Sequence, residues 1–298
     1  ELLRNDDGKC SAAAQVLQDL LRTYCSGALP LIWGDSAHGG FRKGSSERLA
    51  LLGGGFETVE GVALLTGISA FFLMTGLSGR LAAFVCLQGC LTLYPLNRMA
   101  GGGHDRVITN ALWLLVLADS ARTLSLSARR RTGRWLDPTP VPAWPRYLMV
   151  GQLVAMYTAT GLQKVTPEWF WGGDYLAVYN MLLVPAWARW DLAPVLGLLA
   201  PLAQVATALT WLWESSFWVV GLWLLLRGFG SSSRLLRYDL RSGYAALGLC
   251  FHLGLLLLAD LGPFSLISLA LYPALYHPAE LQRGPWKALV SKSTAAPG

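Results

Sequence analysis

The chain has 298 residues, of which 53% are hydrophobic and 14% charged, with a mean hydropathy of +0.41. A soluble domain carries about 25% charge, so this composition excludes an ordinary water-soluble globule and points to an integral membrane protein. The net charge of +6 does not indicate a nucleic-acid partner, because the basic residues lie in loops between apolar runs, as the positive-inside rule predicts.

Residues 1–56 form an expected N-terminal extramembrane segment; the chain begins at Glu1 rather than Met, which suits either a fragment or a processed form. Ser11 to Arg22 suits a short amphipathic helix too polar to span, Ser36 to Ser46 a loop, and Gly53-Gly54-Gly55 a turn. A transmembrane domain is expected over 57–278. Its first span, Gly61–Ser78, follows Glu57 and Glu60, and Gly79-Arg80 turns the chain into a second, Leu81–Pro95. A polar Gly-rich turn containing His104 and Asp105 leads to a third span, Val107–Ser120. The next loop carries Arg122, Arg129, Arg130, Arg131, Arg134 and Arg146, and a fourth span, 146–163, ends at Lys164. Trp, Gly, Asp and Pro then interrupt the pattern, which predicts an interfacial or re-entrant segment at 165–200. A long helix from Leu202 to Leu226 holds Glu214, a second basic loop covers Arg227–Arg241, and spans at 243–259 and 262–277 precede a C-terminal tail, 279–298. The fold class is therefore all-α, a polytopic helical membrane bundle with about seven visible spans.

A single crossing at 202–226 puts both Arg-rich loops on one face, which the positive-inside rule makes cytoplasmic. His104 and Lys164 then both face the lumen or periplasm. The five cysteines have no metal-ligand spacing, so no metal is expected. Cys86 and Cys90, one helical turn apart, suit packing better than a redox pair.

Ionisable groups at membrane depth are costly and need partners or a wet cavity. Tyr157, Thr160 and Lys164 share one helical stripe, with two hydroxyls below the ammonium. Lys164 suits either a base near neutral pH or a lysine snorkelling to the headgroups. His104 suits a general base, a hydrogen-bond partner or a wet loop histidine. Glu214 lies mid-helix, as a polar bridge or a functional group. His252 is mid-span at a depth similar to Glu214, so the two could meet; it suits interhelical bonding or catalysis.

Gly161-Leu162-Gln163-Lys164 followed by Glu168-Trp169 and Gly173 resembles the Gly-x-x-Lys…Trp…Gly signature of the vitamin K-dependent γ-carboxylase-like family. Gly102-Gly103-His104-Asp105 at a helix head, Glu214 in a long helix, and Phe251-His252 ahead of Tyr272-Pro273 resemble the same family. The match of order and spacing is to its membrane part, the horizontally transferred transmembrane (HTTM) domain, over about residues 25–282. The resemblance implies a site that oxygenates reduced vitamin K or another quinol, using O2 and CO2, with Lys164 as base, His104 as a supporting acid/base group and His252 lining the pocket. It implies membrane lipid and a lipophilic small molecule as partners, and a peptide substrate of unknown identity. The family's lumenal β-rich domain has no counterpart in residues 277–298, so peptide glutamate carboxylation is not expected. The family's first membrane helix is not recognisable either. The alternative is a non-catalytic membrane scaffold or lipid-binding bundle; without an internal repeat, a transporter is the weaker third option. The enzyme reading expects Lys164→Ala to abolish turnover with melting nearly unchanged.

Overall fold

The computed structural model describes residues 16–18, 20, 21, 23, 27–97, 101–123, 125–135, 137, 139–169, 172–230, 234–277 and 280. Much of the N-terminal segment, including 11–15, 19 and 22 of the expected amphipathic helix, lies outside the described residues. So do Cys10, Cys25, Arg98 to Ala100, Phe170, Trp171 and most of the C-terminal tail. All regular structure among the described residues is helical. The chain divides into two compact units, one of residues 1–147 with 273–298, the other of residues 148–272.

In the first unit, short helices α1 (Leu29–Trp33) and α2 (Glu47–Leu51) precede α3 (Phe56–Thr75) and α4 (Gly79–Leu93). Glu57 in the first turn of α3 complements the helix dipole. Gly76 ends the helix at φ 71°, with the Gly76 and Leu77 amides bonded to Leu73 O and Phe72 O, the pairing of a Schellman cap. Helix α3 buries Val59, Ala63, Thr66, Ala70 and Leu73, spaced three or four apart, and packs on α4. Large residues on its other faces, Leu64, Leu65, Ile68, Phe71 and Phe72, are exposed, as suits a surface solvated by lipid tails. The two helices approach so closely that a Cβ on Gly89 would lie 1.8 Å from the Thr66 hydroxyl. Cys86 and Cys90 are buried free thiols on α4.

Helix α4 packs in turn on α5 (Gly103–Leu117). The Arg-rich loop then forms α6 (Leu126–Thr132), capped by the Ser125 hydroxyl, which accepts from the Ala128 amide at 2.9 Å. Asp137 organises the turn beyond this helix, accepting from the Thr139 amide at 3.0 Å, the Thr139 hydroxyl at 2.5 Å and Arg131 Nη2 at 2.9 Å. Those Thr139 bonds first, and then Arg131, hold its carboxyl far below the usual carboxylate range.

Helix α7 (Trp144–Gln163) runs from the first unit into the second. The second unit continues with α8 (Ala177–Leu183), α9 (Ala193–Ser215), α10 (Trp218–Gly228), α11 (Leu240–Leu258) and α12 (Phe264–Leu271). Residues 193–200, expected in the excursion, are the first turns of α9. Pro194 sits at the start of that helix, where its missing N–H costs nothing. The expected single helix 202–226 is broken at Ser216-Phe217. There the Phe217 amide bonds to Glu214 O and the Val219 amide to Ser216 O, the tighter i−3 pattern. An unbroken helix over 193–228 would be ~54 Å long, far beyond the ~30 Å hydrocarbon core.

The excursion between α7 and α9 is tied down at both ends. Thr207 of α9 accepts from the Val178 amide at 3.1 Å, and Gln204 donates to Asp174 O at 2.9 Å. Farther on, Ala188 and Ala259 form an isolated antiparallel bridge. The Arg189 amide reaches Leu258 O, the Asp260 amide reaches Trp187 O, and the Trp190 indole reaches Leu257 O. Four helical stretches among the described residues are long and apolar enough to cross a membrane: Phe56–Thr75, Gly79–Leu96, Ala193–Gly228 and Leu240–Leu258.

Candidate functional site

The second unit gathers most of the candidate residues. Gly161 sets the geometry: a Cβ there would lie 2.2 Å from the Ser215 amide nitrogen and 2.6 Å from the Glu214 carbonyl carbon. Only a glycine lets α7 come this close to the end of α9. The approach places Lys164 against Glu214, and the ammonium donates to Oε2 of the carboxylate. The Glu214 side chain is 5% exposed and that of Lys164 19%. The lysine therefore turns inward to a charge partner rather than snorkelling, and the ring of Trp169 covers its ammonium at 4.7 Å from the centroid. The Thr160 hydroxyl sits beside the same carboxyl and also bonds to the carbonyls of Met156 and Tyr157, each at 2.9 Å.

Tyr157 takes partners other than the ion pair. It is buried, and its hydroxyl lies 2.6 Å from His252 Nε2 and 3.1 Å from the Tyr272 hydroxyl. One phenol thus joins α7, α11 and the residue that ends α12. Trp213 and Phe217 close over the Tyr157 ring, each at 4.7 Å between centroids, and Phe264 lies 5.5 Å from His252. Gly248 leaves room for this packing, since a Cβ there would meet the Tyr272 hydroxyl at 1.9 Å. His252 Nδ1 is buried with no hydrogen-bond partner among the described residues.

Glu214 and His252 do not pair with each other as their shared depth suggested: Glu214 takes Lys164, and His252 takes Tyr157. Residue spacing fixes depth along a helix but not the direction in which its neighbours lie. Nor do both hydroxyls of the α7 stripe sit under the ammonium, because Tyr157 is committed to His252 and Tyr272. Tyr272 and Trp213 are site residues that sequence reasoning did not single out. Tyr272 was visible only as part of a motif, and Trp213 only as the neighbour of Glu214 inside an apolar run.

His104 and Asp105 belong to the first unit, at the head of α5. His104 Nε2 lies 3.2 Å from Asp105 Oδ1, and Asp105 Oδ2 accepts from the Gly102 amide at 3.1 Å. Both side chains are largely covered, so His104 is a partnered histidine rather than a wet one.

A family model for the HTTM domain matches residues 55–279. The chain belongs to the HTTM family. No curated protein and no solved structure matches it. The HTTM match takes in the Lys164–Glu214 pair, the Tyr157–His252–Tyr272 cluster and the His104–Asp105 pair. With its apolar helices, it makes the chain a membrane protein of the HTTM family.

Proposed function

We propose that this HTTM protein oxidises a lipophilic quinol within the membrane, with Lys164 as base and Glu214 as its proton partner. The observation that carries this reading is the buried Lys164–Glu214 pair, an ammonium bonded to a carboxylate and covered by the Trp169 ring. In such a pair the ammonium can pass its proton to the carboxylate, leaving a neutral amine. That amine takes the proton of a quinol hydroxyl, and the quinolate so formed is the species that reacts with O2. A planar, apolar quinol ring suits the aromatic side chains of this unit, and a long apolar tail suits the surrounding lipid. The resemblance to the vitamin K-dependent γ-carboxylases nominates reduced vitamin K as the first quinol to test. The same resemblance singles out His104, held by Asp105 in the first unit. CO2 enters only if the oxygenated quinol deprotonates a carbon acid, for which a peptide glutamate is the family's precedent.

A second reading is a non-catalytic lipid-binding bundle. It is favoured by the fact that Lys164, Glu214, Tyr157 and His252 all make bonds that tie helices together. The deciding experiment is oxygen-dependent loss of reduced vitamin K in nanodiscs. Since Lys164→Ala alone would strand the Glu214 carboxylate, the informative variant is Lys164→Met with Glu214→Gln, which removes both charges. Turnover in the parent and none in a folded double variant supports the enzyme. Equal turnover in both removes Lys164 as the base, and none in either, from folded protein, leaves the non-catalytic bundle.

A further inference from the structure

The arginines of the first unit are arranged differently from those of the second. Arg129, Arg130 and Arg131 occupy the last turn of α6, where cations complement the helix dipole, and Arg134 follows the Gly133 cap. All four are exposed, as is Trp135 beside them. Asp137 takes Arg131 and lies 3.8 Å from Arg122. No carboxylate among the described residues lies within ion-pair distance of Arg129, Arg130 or Arg134. Arg129 instead lies over the Trp135 ring at 5.0 Å.

In the second unit two arginines are held by the protein's own side chains. Arg241 is buried and bonded to Asp239, and Arg227 and Arg241 each stack on Trp223 at 5.1 Å. Those guanidinium groups build the protein. The three on α6 and its cap face outward in a segment joining two apolar helices, with Trp144 and Tyr147 exposed at the start of α7. Exposed Trp and Tyr mark the headgroup level of a bilayer.

We propose that Arg129, Arg130 and Arg134, with Trp135, form a docking surface for the phosphate of anionic phospholipid headgroups. Asp137 and its Thr139 bonds hold the loop in shape while neutralising Arg131. That leaves the other three to meet a negatively charged membrane surface. Guanidinium forks bind phosphate oxygens in pairs, and Trp135 seats at the ester level of the same leaflet.

The test uses the full chain in detergent, titrated with phosphatidylglycerol or phosphatidylcholine and read by native mass spectrometry of the lipid adducts. A juxtamembrane arginine contributes about fivefold in binding to an anionic surface, so three together give about 100-fold. The variant Arg129→Gln/Arg130→Gln/Arg134→Gln should weaken phosphatidylglycerol by about that factor at low salt, with phosphatidylcholine unchanged. Should the triple variant fail to fold, Arg130→Gln and Arg134→Gln singly should each cost about fivefold. Arg237→Gln, in the other basic segment, should leave both lipids unaffected. Undiminished phosphatidylglycerol binding by the variants would overturn the proposal, as would parallel loss of both lipids or an equal loss from Arg237→Gln. Displacement by inorganic phosphate at matched concentration would mark a soluble-anion site and overturn it too.

Discussion

The two units differ in where their most deeply placed polar side chains find partners. In the first, Thr66, Ser69 and Thr92 return their hydroxyls to carbonyls four residues back in their own helices, and the helix contacts are made by small residues. In the second, Tyr157, Lys164, Glu214 and His252 bond from one helix to another. Polar atoms satisfied within a helix are indifferent to where their neighbours lie, whereas those satisfied between helices fix the arrangement and fail together. The second unit is therefore where single substitutions should do most damage.

The largest effect belongs to Lys164→Ala, which leaves a nearly covered carboxylate unpaired. A loss of about 3–5 kcal/mol is expected on removing one partner of a buried pair. Glu214→Ala should cost less, because the lysine is the more exposed partner and can swing to the headgroups. Equilibrium unfolding of the two variants and of the neutral double variant measures the asymmetry; the reverse order would show that the lysine is the stranded charge. Next comes Gly161→Ala, where the added Cβ meets backbone and cannot be relieved by a rotamer change. About 1–3 kcal/mol is expected from such overpacking, and an unchanged melting point would mean that α7 and α9 do not pack backbone to backbone at this position. Tyr157→Phe should come third at about 1–3 kcal/mol, the usual cost of leaving buried hydrogen-bond partners unmet. Its counterpart in the first unit, Ser69→Ala, should change stability by less than about 0.5 kcal/mol, since such back-bonding contributes little to a helix. A comparable loss at both positions would erase the contrast between the units.

The smallest effect concerns acid. Asp137 has its carboxyl pKa depressed in the folded chain by Thr139 and Arg131. Its contribution is thus fully present above the unfolded value near 3.9 and fades only as pH falls through the lower folded value. Amide exchange at Thr139 should stay slow down to about pH 4 and lose protection only below it; Asp137→Ala, which removes the acceptor of the Thr139 amide, should abolish that protection at every pH.

The helical class and the membrane location were plain in the apolar runs, and the family was legible in short motifs in the right order. Candidates stood out as ionisable residues at the wrong depth: Lys164, Glu214 and His252 each end or interrupt an apolar run. Their pairings were not legible, because periodicity along one helix says nothing of the azimuth of its neighbours. The break at Ser216-Phe217 was hidden for a related reason: the run stays apolar on both sides, and Trp, Glu and Ser inside it do not forbid a helix. Gly161 carried more information than its motif suggested, since its importance lies in the backbone it touches.

The antiparallel bridge between Ala188 and Ala259 has a consequence for how the chain is made. Its two sides are separated by the whole of α9, α10 and α11, about 70 residues, and ribosomes add ~5–20 residues per second. For several seconds after Trp187 and Arg189 emerge, the backbone groups that will meet Leu258 and Asp260 have nothing to bond to. During that interval the excursion must be held by the insertion machinery or by water at the bilayer surface. A pause site placed before α11 should lengthen its exposure to protease.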